Sequence, residues 1–455
     1  MIGLFKKKEQ NVTIDLLNSF NWIKNLDKQK LELSNQEIEK RLSQSKLVHK
    51  FLKSGKGKNL LNSIFLEMID IGFPEISSKI ELDLLIEIFS PETLNQIFFN
   101  PSNGFNNSNH NGIFKQTVQI NEKYGYVVAP KGIVLIVGSS NTILPVITSI
   151  ILSYICGNVS VCQLSRLNKG IIKKFIDGIP SDCNNYVHYI NLDHNVPSDE
   201  NILKELLVQV PWNVINVWGG EEANNFYFQN VAKNLNRPKI INMEPLTGIV
   251  IIQRSYLKNK LNQVSKELSI SISEMGQQLC SSPTEGFIID DTDDYQIDDS
   301  FFKKLVDHLE KNYIEFTDFE SSYFKLDRML TYAQDKNSKV YNSKKYGNKI
   351  SIIVSNKKSV FSDSDDNNHL SIHERRNFLE LINTSNFETL LELIRKINSK
   401  RTHKEIKKVQ TILVFGNKEF NTEILKLAKN IGAYRVIDAN YIFKRHPLEA
   451  LDGIH

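Results

Sequence analysis

Short, uninterrupted runs of apolar and β-branched residues recur along the middle of the chain. Runs of this kind, without polar alternation, predict strands that are buried on both faces. Helical stretches lie between several of them, so the pattern predicts a parallel, doubly wound α/β sheet. The predicted strands are 132–137, 159–162, 186–190, 214–217 and 248–252, with a later one at 349–354.

The first hundred residues follow a helical periodicity instead, for example in 38–48 and 59–69. A connector rich in Asn, Gly and Ser follows them, and a helix is predicted later at 305–313. These changes of texture predict four regions. They are a helical N-terminal region with its connector (1–112), a dinucleotide-binding domain (113–247), a catalytic domain (248–420) and a C-terminal segment (421–455) that packs back on the core or in an oligomer contact.

One stretch raises the question of a membrane span, because residues 132–165 contain no charged side chain. A spanning helix needs about 20 continuous apolar residues. Polar and helix-breaking residues at 138–142, Pro145 and 157–158 divide this stretch into strand, turn, helix and strand. A buried crossover helix is therefore favoured over a membrane span.

Composition narrows the class further. The 455 residues are 41% hydrophobic and 24% charged, as in soluble globular proteins, and a net charge of +4 indicates neither nucleic acid nor an anionic membrane as partner. Four cysteines without a Cys-x-x-Cys pair argue against a disulfide framework and a structural zinc site. The N-terminus lacks the apolar segment of a secretory signal, so the expected compartment is the cytoplasm.

An acidic stretch at 363–374 places four oxygen-bearing side chains at calcium-loop spacing. They are Asp363, Asp365, Asn367 and Glu374. The glycine that the loop requires is replaced by Asn368, and the preceding segment is predicted to be a strand rather than a helix. A solvated loop is favoured, and no metal site is predicted.

Cys280 is the candidate for nucleophilic chemistry. Glycine and glutamine residues precede the thiol, and Ser281-Ser-Pro283 break the element that leads into it. A cysteine on such a turn, in a chain without a disulfide pattern, is a candidate nucleophile. The alternative is a small buried core residue, which is the usual place of a free cysteine.

The chain has no Gly-x-Gly-x-x-Gly fingerprint and no phosphate-binding loop of the Gly-Lys-Ser type. Its order of segments nevertheless resembles the aldehyde dehydrogenase superfamily, and within it the fatty acid (acyl-CoA) reductases of the LuxC type. The resemblance covers about residues 115–455. It is carried by Asn141, Gly157-Asn158, Leu164-Ser165, Val217-Trp-Gly-Gly-Glu-Glu-Ala223, Gln278-Leu-Cys-Ser-Ser-Pro283, Gln410-Thr411, Gly432-Ala-Tyr-Arg-Val436 and Leu451-Asp-Gly453.

This resemblance implies an aldehyde dehydrogenase-like α/β fold, with a doubly wound parallel cofactor-binding sheet and a second α/β catalytic domain. The implied activity is NAD(P)H-dependent reduction of an acyl-CoA, of the fatty acyl class, to the aldehyde through an acyl-Cys280 intermediate. Asn141 would donate a hydrogen bond to the oxyanion. The implied cofactor is NADPH, with NADH as the alternative, and its candidate contacts are Ser140, Gln163, Gly219, Gly220 and Glu222.

The implied partners are an acyl-CoA or other acyl thioester, a partner protein that transfers acyl groups, and further copies of the chain in a homo-oligomer. Simpler interpretations stay open for single residues. Asn141 is also a favoured helix cap, Gly219-Gly220 an ordinary turn, and Glu222 is expected to cap a helix or face solvent rather than act as a base.

Two departures from the superfamily pattern bear on the chemistry. The glutamate that activates water in hydrolytic members aligns with Asn242, although a shifted alignment would offer Glu244. Gln163 stands where the ribose-binding lysine is expected, and glutamine brings no charge for a 2′-phosphate. An oxidative aldehyde dehydrogenase using Glu244, and a non-catalytic binding subunit, are therefore the competing hypotheses.

Overall fold

A computed structural model shows two compact units, each built on its own β-sheet. The first unit contains the described residues up to Met243 and the second contains those from Thr247 on. The residues described are 16–73, 75–99, 117–119, 125–127, 130–139, 142–165, 167–193, 196–243, 247–273, 277, 281–291, 299–313, 326, 329–330, 332–334, 336, 338–355, 377–399, 409–433 and 435–438.

The first unit begins with helices and continues as alternating strands and helices. In chain order these are α1 (Leu16–Ser34), α2 (Ile38–Lys53), α3 (Gly55–Asp70), α4 (Glu75–Ile88), α5 (Pro91–Phe99), β1 (Thr117–Gln119), β2 (Gly125–Val127), β3 (Ile133–Val137), α6 (Leu144–Ile155), β4 (Val159–Gln163), α7 (Lys169–Gly178), a 3-10 helix (Asp182–Tyr186), β5 (Val187–Ile190), α8 (Pro197–Gln209), β6 (Val214–Trp218), α9 (Glu221–Val231) and β7 (Lys239–Met243). Strands β1 and β2 form an antiparallel pair. The main sheet has the order β5-β4-β3-β6-β7, and all its pairings are parallel.

The second unit is a seven-stranded sheet with helices on both faces. Its elements are β8 (Thr247–Gln253), α10 (Arg254–Ser273), β9 (Pro283–Ile289), α11 (Asp299–Lys311), β10 (Ser338–Ser343), β11 (Gly347–Ser355), β12 (Phe378–Thr384), α12 (Phe387–Ser399), β13 (Val409–Phe415), α13 (Lys418–Ile431) and β14 (Arg435–Ile437). The strand order is β10-β11-β12-β9-β8-β13-β14. The pairing of β10 with β11 is antiparallel and the other pairings are parallel.

The predicted strands are confirmed within one or two residues as β3, β4, β5, β6, β8 and β11. The doubly wound parallel architecture is confirmed as well, because helices alternate with parallel strands in both sheets. The charge-free stretch contains β3, α6 and β4, and α6 has only 12 residues. Within the described residues, no helix is long and apolar enough to cross a bilayer.

The N-terminal helices and the first sheet share one hydrophobic core. Trp22 of α1, Leu42 of α2 and Leu85 of α4 belong to the same buried cluster as Ile136 of β3 and Phe175 of α7. The second sheet has a separate core on each face. Burial of apolar surface is the main driving force for folding, so α1–α4 are integral to the first unit.

A buried arginine ties the N-terminal helices to α6. Arg41 is 5% exposed, and its Nε donates to the carbonyl of Ile155, the last residue of α6, at 2.8 Å. Its Nη1 donates to Leu33 O at 2.9 Å and to Gln36 O at 2.5 Å. A cation at a helix C-terminus satisfies carbonyls that lack intrahelical partners and interacts favourably with the helix dipole.

We expect Arg41→Met to destabilise the protein by about 2–4 kcal/mol, because it removes two buried hydrogen bonds and one part-buried one from the guanidinium. The measurement is the free energy of unfolding in urea. Lys40→Met, at the exposed neighbouring position, is the matched control and should change stability by no more than about 0.5 kcal/mol. Equal effects of the two substitutions would show that the Arg41 hydrogen bonds do not hold the helices together.

Candidate active site

Several of the predicted cofactor-binding residues lie at one edge of the first sheet. β3 ends at Val137, β4 at Gln163 and β6 at Trp218, and these three strands are neighbours. The carboxyl ends of parallel strands meet at the same edge, which is the usual ligand-binding edge of such sheets. Ser140 and Asn141 follow β3 in the chain but lie outside the described residues.

One buried side chain connects the two residues that flank this gap. Asn168 is fully buried, and its Nδ2 donates to Ser139 O at 2.5 Å and to Thr142 O at 3.3 Å. Its Oδ1 accepts from the Ser165 hydroxyl at 2.8 Å. Asn168 was not predicted as a site residue, and its local signal in the sequence is a Ser-x-x-Asn pattern at the start of α7. Asn168 therefore fixes the chain on both sides of Ser140 and Asn141.

A second side chain holds the Gly219-Gly220 turn. Asn224 Nδ2 donates to Gly219 O at 3.0 Å and to Gly220 O at 3.2 Å. Gly220 is exposed and caps α9 with φ −68° and ψ 176°, and a Cβ built on it meets no atom within 4 Å. Neither backbone conformation nor internal packing requires glycine there. The open space above a helix N-terminus is suited to a phosphate group. Glu222 is exposed on the first turn of α9.

The side chain of Gln163 makes hydrogen bonds within the first unit. It is 5% exposed, its Nε2 donates to Leu192 O at 3.0 Å, and its Oε1 accepts from the Tyr227 hydroxyl. Burial raises the pKa of Tyr227, so the hydroxyl stays protonated and can donate. Gln163 thus connects the end of β4 with α9. Its amide nitrogen carries a second hydrogen, for which no hydrogen bond is found among the described residues.

Three of the four cysteines lie in the first unit and are poor nucleophiles. Burial raises the pKa of the Cys156 thiol to about 11. The thiols of Cys162 and Cys183 are fully buried, and burial raises their pKa still further. The thiolate is the reactive form, so near neutral pH these three side chains are protonated and unreactive.

The fourth, Cys280, lies outside the described residues, but the chain on both sides of it is anchored. Gln277 is fully buried, and its Nε2 donates to Pro283 O at 2.8 Å and to Phe378 O at 2.7 Å. Its Oε1 accepts from the N–H of Phe378 at 3.0 Å. Pro283 begins β9 and Phe378 begins the adjacent strand β12. The sequence analysis missed this role of Gln277.

The backbone of Gln277 is in the left-handed region, with φ 62°. Residues other than glycine, Asn and Asp are uncommon in that region. A backbone held there is strained by about 1–3 kcal/mol, and strained residues of this kind are concentrated at functional sites. On the other side of Cys280, Ser281 O lies only 2.2 Å from where a Cβ would stand on Gly248. Any larger residue at 248 would push the segment after Cys280 away from β8.

The two residues that could align with the water-activating glutamate, Asn242 and Glu244, lie at the end of the first unit in the chain. Asn242 lies on β7 and is half-buried, and its Oδ1 has no hydrogen-bond partner among the described residues. Glu244 lies outside the described residues. An amide cannot take up a proton near neutral pH, so Asn242 is no substitute for a water-activating carboxylate. The acidic stretch at 363–374 also falls outside the described residues, and the part of the chain that is described contains no cluster of metal-binding side chains.

Comparison with solved structures shows the same fold in aldehyde dehydrogenases. Succinic semialdehyde dehydrogenase from Streptococcus pyogenes, crystallised with NADP+, has 15% identity and a TM-score of 0.66 over 95% of this chain and 89% of that one. Glyceraldehyde-3-phosphate dehydrogenase from Methanocaldococcus jannaschii, complexed with NADP, has 17% identity and a TM-score of 0.62 over 95% and 87%. Methylmalonate-semialdehyde dehydrogenase from Oceanimonas doudoroffii has 11% identity and a TM-score of 0.67 over 96% and 83%.

These identities establish the fold alone, and they confirm the aldehyde dehydrogenase-like architecture predicted from the order of motifs. No curated protein sequence matches the chain significantly. The family description "Acyl-CoA reductase (LuxC)" matches residues 113–455, which is most of the chain and contains Asn141, Gly219-Gly220 and Cys280. The chain belongs to the LuxC acyl-CoA reductase family and is an oxidoreductase with the aldehyde dehydrogenase fold.

Proposed function

We propose that the protein reduces a fatty acyl-CoA to the aldehyde, with Cys280 carrying the acyl group between the two half-reactions. The observation that carries the proposal is that both flanks of Cys280 are anchored, by Gln277 and by the close approach of Ser281 to Gly248. Of the other three thiols, two are buried and Cys156 is half-buried, and burial raises the pKa of all three so that they are protonated near neutral pH, which supports Cys280 by elimination. Family membership supports the acyl-CoA substrate.

In the proposed acylation, the Cys280 thiolate attacks the thioester carbonyl and a tetrahedral oxyanion forms. The Asn141 side-chain amide and the Cys280 backbone N–H donate hydrogen bonds to that oxygen. The bond to the CoA sulfur then breaks, CoA leaves with the electron pair and is protonated, and an acyl-Cys280 thioester remains. Asn168 assists indirectly, because it fixes the residues on either side of Asn141.

The residues at the edge of the first sheet fit a nicotinamide dinucleotide. Gly220 leaves open space that a Cβ would fill, and Asn224 fixes the Gly219-Gly220 turn by donating to both of its carbonyls. The first N–H groups of α9 lack acceptors within the helix, so they can donate to a phosphate. Ser140, the remaining amide hydrogen of Gln163, and Glu222 complete the proposed contacts. When bound, NADPH, or NADH in its place, supplies the hydride that brings the acyl group to the aldehyde oxidation level. Two structural relatives with the same fold were crystallised with NADP.

Release of the aldehyde then needs no activated water. The carbon–sulfur bond of the reduced adduct breaks, its electron pair returns to Cys280, and the free aldehyde leaves. Asn242 at the aligned position supports this outcome, because an amide does not activate water for hydrolysis to the acid. Oxidation of an aldehyde to an acid would instead require Glu244 as the base.

The direct test is to trap the acyl-enzyme. Incubation with a series of fatty acyl-CoA esters should add one acyl group per chain, detected by intact mass, because no reductant is present to release it. The adduct should form on the wild type and on Cys156→Ala, the matched cysteine control, and not on Cys280→Ala. Added NADPH or NADH should discharge it as aldehyde.

An adduct that persists in Cys280→Ala, or the absence of any adduct on the wild type across chain lengths, would contradict the proposed nucleophile or substrate. Acid rather than aldehyde as the product would favour the oxidative, Glu244-dependent alternative. Failure of both reduced cofactors to bind would favour a non-catalytic binding subunit.

Gly220→Ala tests the proposed cofactor contact. The methyl group meets no protein atom, so the free energy of unfolding should change by less than about 0.5 kcal/mol. The dissociation constant of NADPH, measured by fluorescence titration, should rise about tenfold or more because the methyl group fills the space proposed for the pyrophosphate. Gly55→Ala, also exposed, in open space and at a helix start, is the matched control. Unchanged NADPH affinity in Gly220→Ala would place the cofactor elsewhere.

A further inference from the structure

A buried carboxylate lies at the start of α6, the helix that follows Asn141. Glu81 on α4 is 2% exposed, and its Oε2 accepts from the N–H of Ile143 at 3.0 Å. The other carboxylate oxygen of Glu81 is buried and has no hydrogen-bond partner among the described residues. Ile143, in the cap position of α6, has no side chain that could satisfy its own N–H, so Glu81 caps α6 from another helix.

Burying this acid is costly. Burial raises the pKa of Glu81 to about 7, although hydrogen bonding at the start of α6 acts in the opposite direction. An apolar side chain of similar size would pack α4 against α6 without that cost. The advantage of a carboxylate at this position is therefore its hydrogen bond to the N–H of Ile143 at the α6 N-terminus, where the helix dipole also favours a negative charge.

Those residues directly follow Asn141 in the chain. The N–H of Ile143 is held by Glu81, and the carbonyl of Thr142 is held by Asn168, which also bonds to Ser139 O. The described residues on either side of Asn141 are thus held by one buried side chain from α4 and one from the start of α7. Glu81 lies before residue 113, outside the part of the chain that matches the family.

We propose that Glu81 is a positioning residue for acylation, which fixes the first turn of α6 and thereby the direction in which Asn141 donates to the oxyanion. The proposal rests on the proposed function, since it takes Asn141 as that donor. It assigns the N-terminal helices a part in catalysis besides their contribution to the core. Small displacements of an oxyanion donor are costly to the reaction rate, because its hydrogen bond must be aligned in the transition state.

The test is a double-mutant cycle on the single-turnover rate of Cys280 acylation by a fatty acyl-CoA, at pH 8. Glu81→Gln should slow acylation about tenfold or more, while the dissociation constant of NADPH stays unchanged. In the Asn141→Ala background, Glu81→Gln should change the acylation rate by less than about twofold further, because the oxyanion donor through which Glu81 acts is already absent. Glu87→Gln, an exposed position on the same helix, is the matched control and should leave the rate unchanged.

Full additivity of Glu81→Gln and Asn141→Ala would overturn the proposal, since a merely structural effect does not depend on Asn141. Should Glu81→Gln fail to fold, Glu81→Met takes its place in the cycle, because it fills a similar volume and removes the acceptor for the N–H of Ile143. If Asn141→Ala alone leaves acylation at the wild-type rate, the proposed role of Asn141 fails, and that outcome is distinct from additivity.

Discussion

Buried polar side chains that bond to the main chain of distant segments are the constraint on which the candidate active site depends. Gln277 is the clearest case. Its left-handed backbone costs about 1–3 kcal/mol, and three buried hydrogen bonds of about 0.5–1.5 kcal/mol each offset that cost. The strained conformation persists because the side chain is bonded on two strands at once. The loop that carries Cys280 therefore begins from a fixed point.

The first unit uses the same kind of buried hydrogen bonds around Asn141 and the Gly-Gly turn. Asn168 and Glu81 bond to residues on either side of Asn141, and Asn224 bonds to the Gly-Gly turn. Each of these side chains is buried, so breaking one hydrogen bond leaves a polar group without water or a partner. The described residues that flank Asn141 and form the Gly-Gly turn are thereby given defined positions, and catalysis by oriented donors requires such definition.

The fold class and the family could both be predicted from the sequence. Continuous apolar runs predicted β3–β6, β8 and β11 because strands buried on both faces have no polar alternation. β7 was missed because Lys239-Ile-Ile-Asn-Met243 mixes polar and apolar residues at an edge of the sheet. The short pair β1 and β2, and five strands of the second sheet (β9, β10, β12, β13 and β14), were not predicted either. The order of short motifs around Asn141, the Gly-Gly turn and Cys280 predicted the family, which the match over residues 113–455 confirms.

The positioning residues could not be predicted, because their roles depend on partners that are remote in the chain. Gln277 bonds to a residue 101 positions away and Glu81 to one 62 positions away, and no local pattern marks either side chain. For Gln163, the position in the fold was predictable but the hydrogen bonds were not. Its place at the end of β4 follows from the sequence, whereas its bonds to Leu192 and to Tyr227 of α9 depend on how distant segments pack.

The central claim is that side-chain hydrogen bonds, rather than backbone conformation alone, place Cys280 for acylation. Gln277→Gly tests it most directly, since glycine adopts a φ of 62° without strain but removes all three anchoring hydrogen bonds. The measurement is the rate at which a folded Gln277→Gly variant is acylated by a fatty acyl-CoA. The account predicts a rate about tenfold or more below that of the wild type. Acylation at the wild-type rate would contradict it.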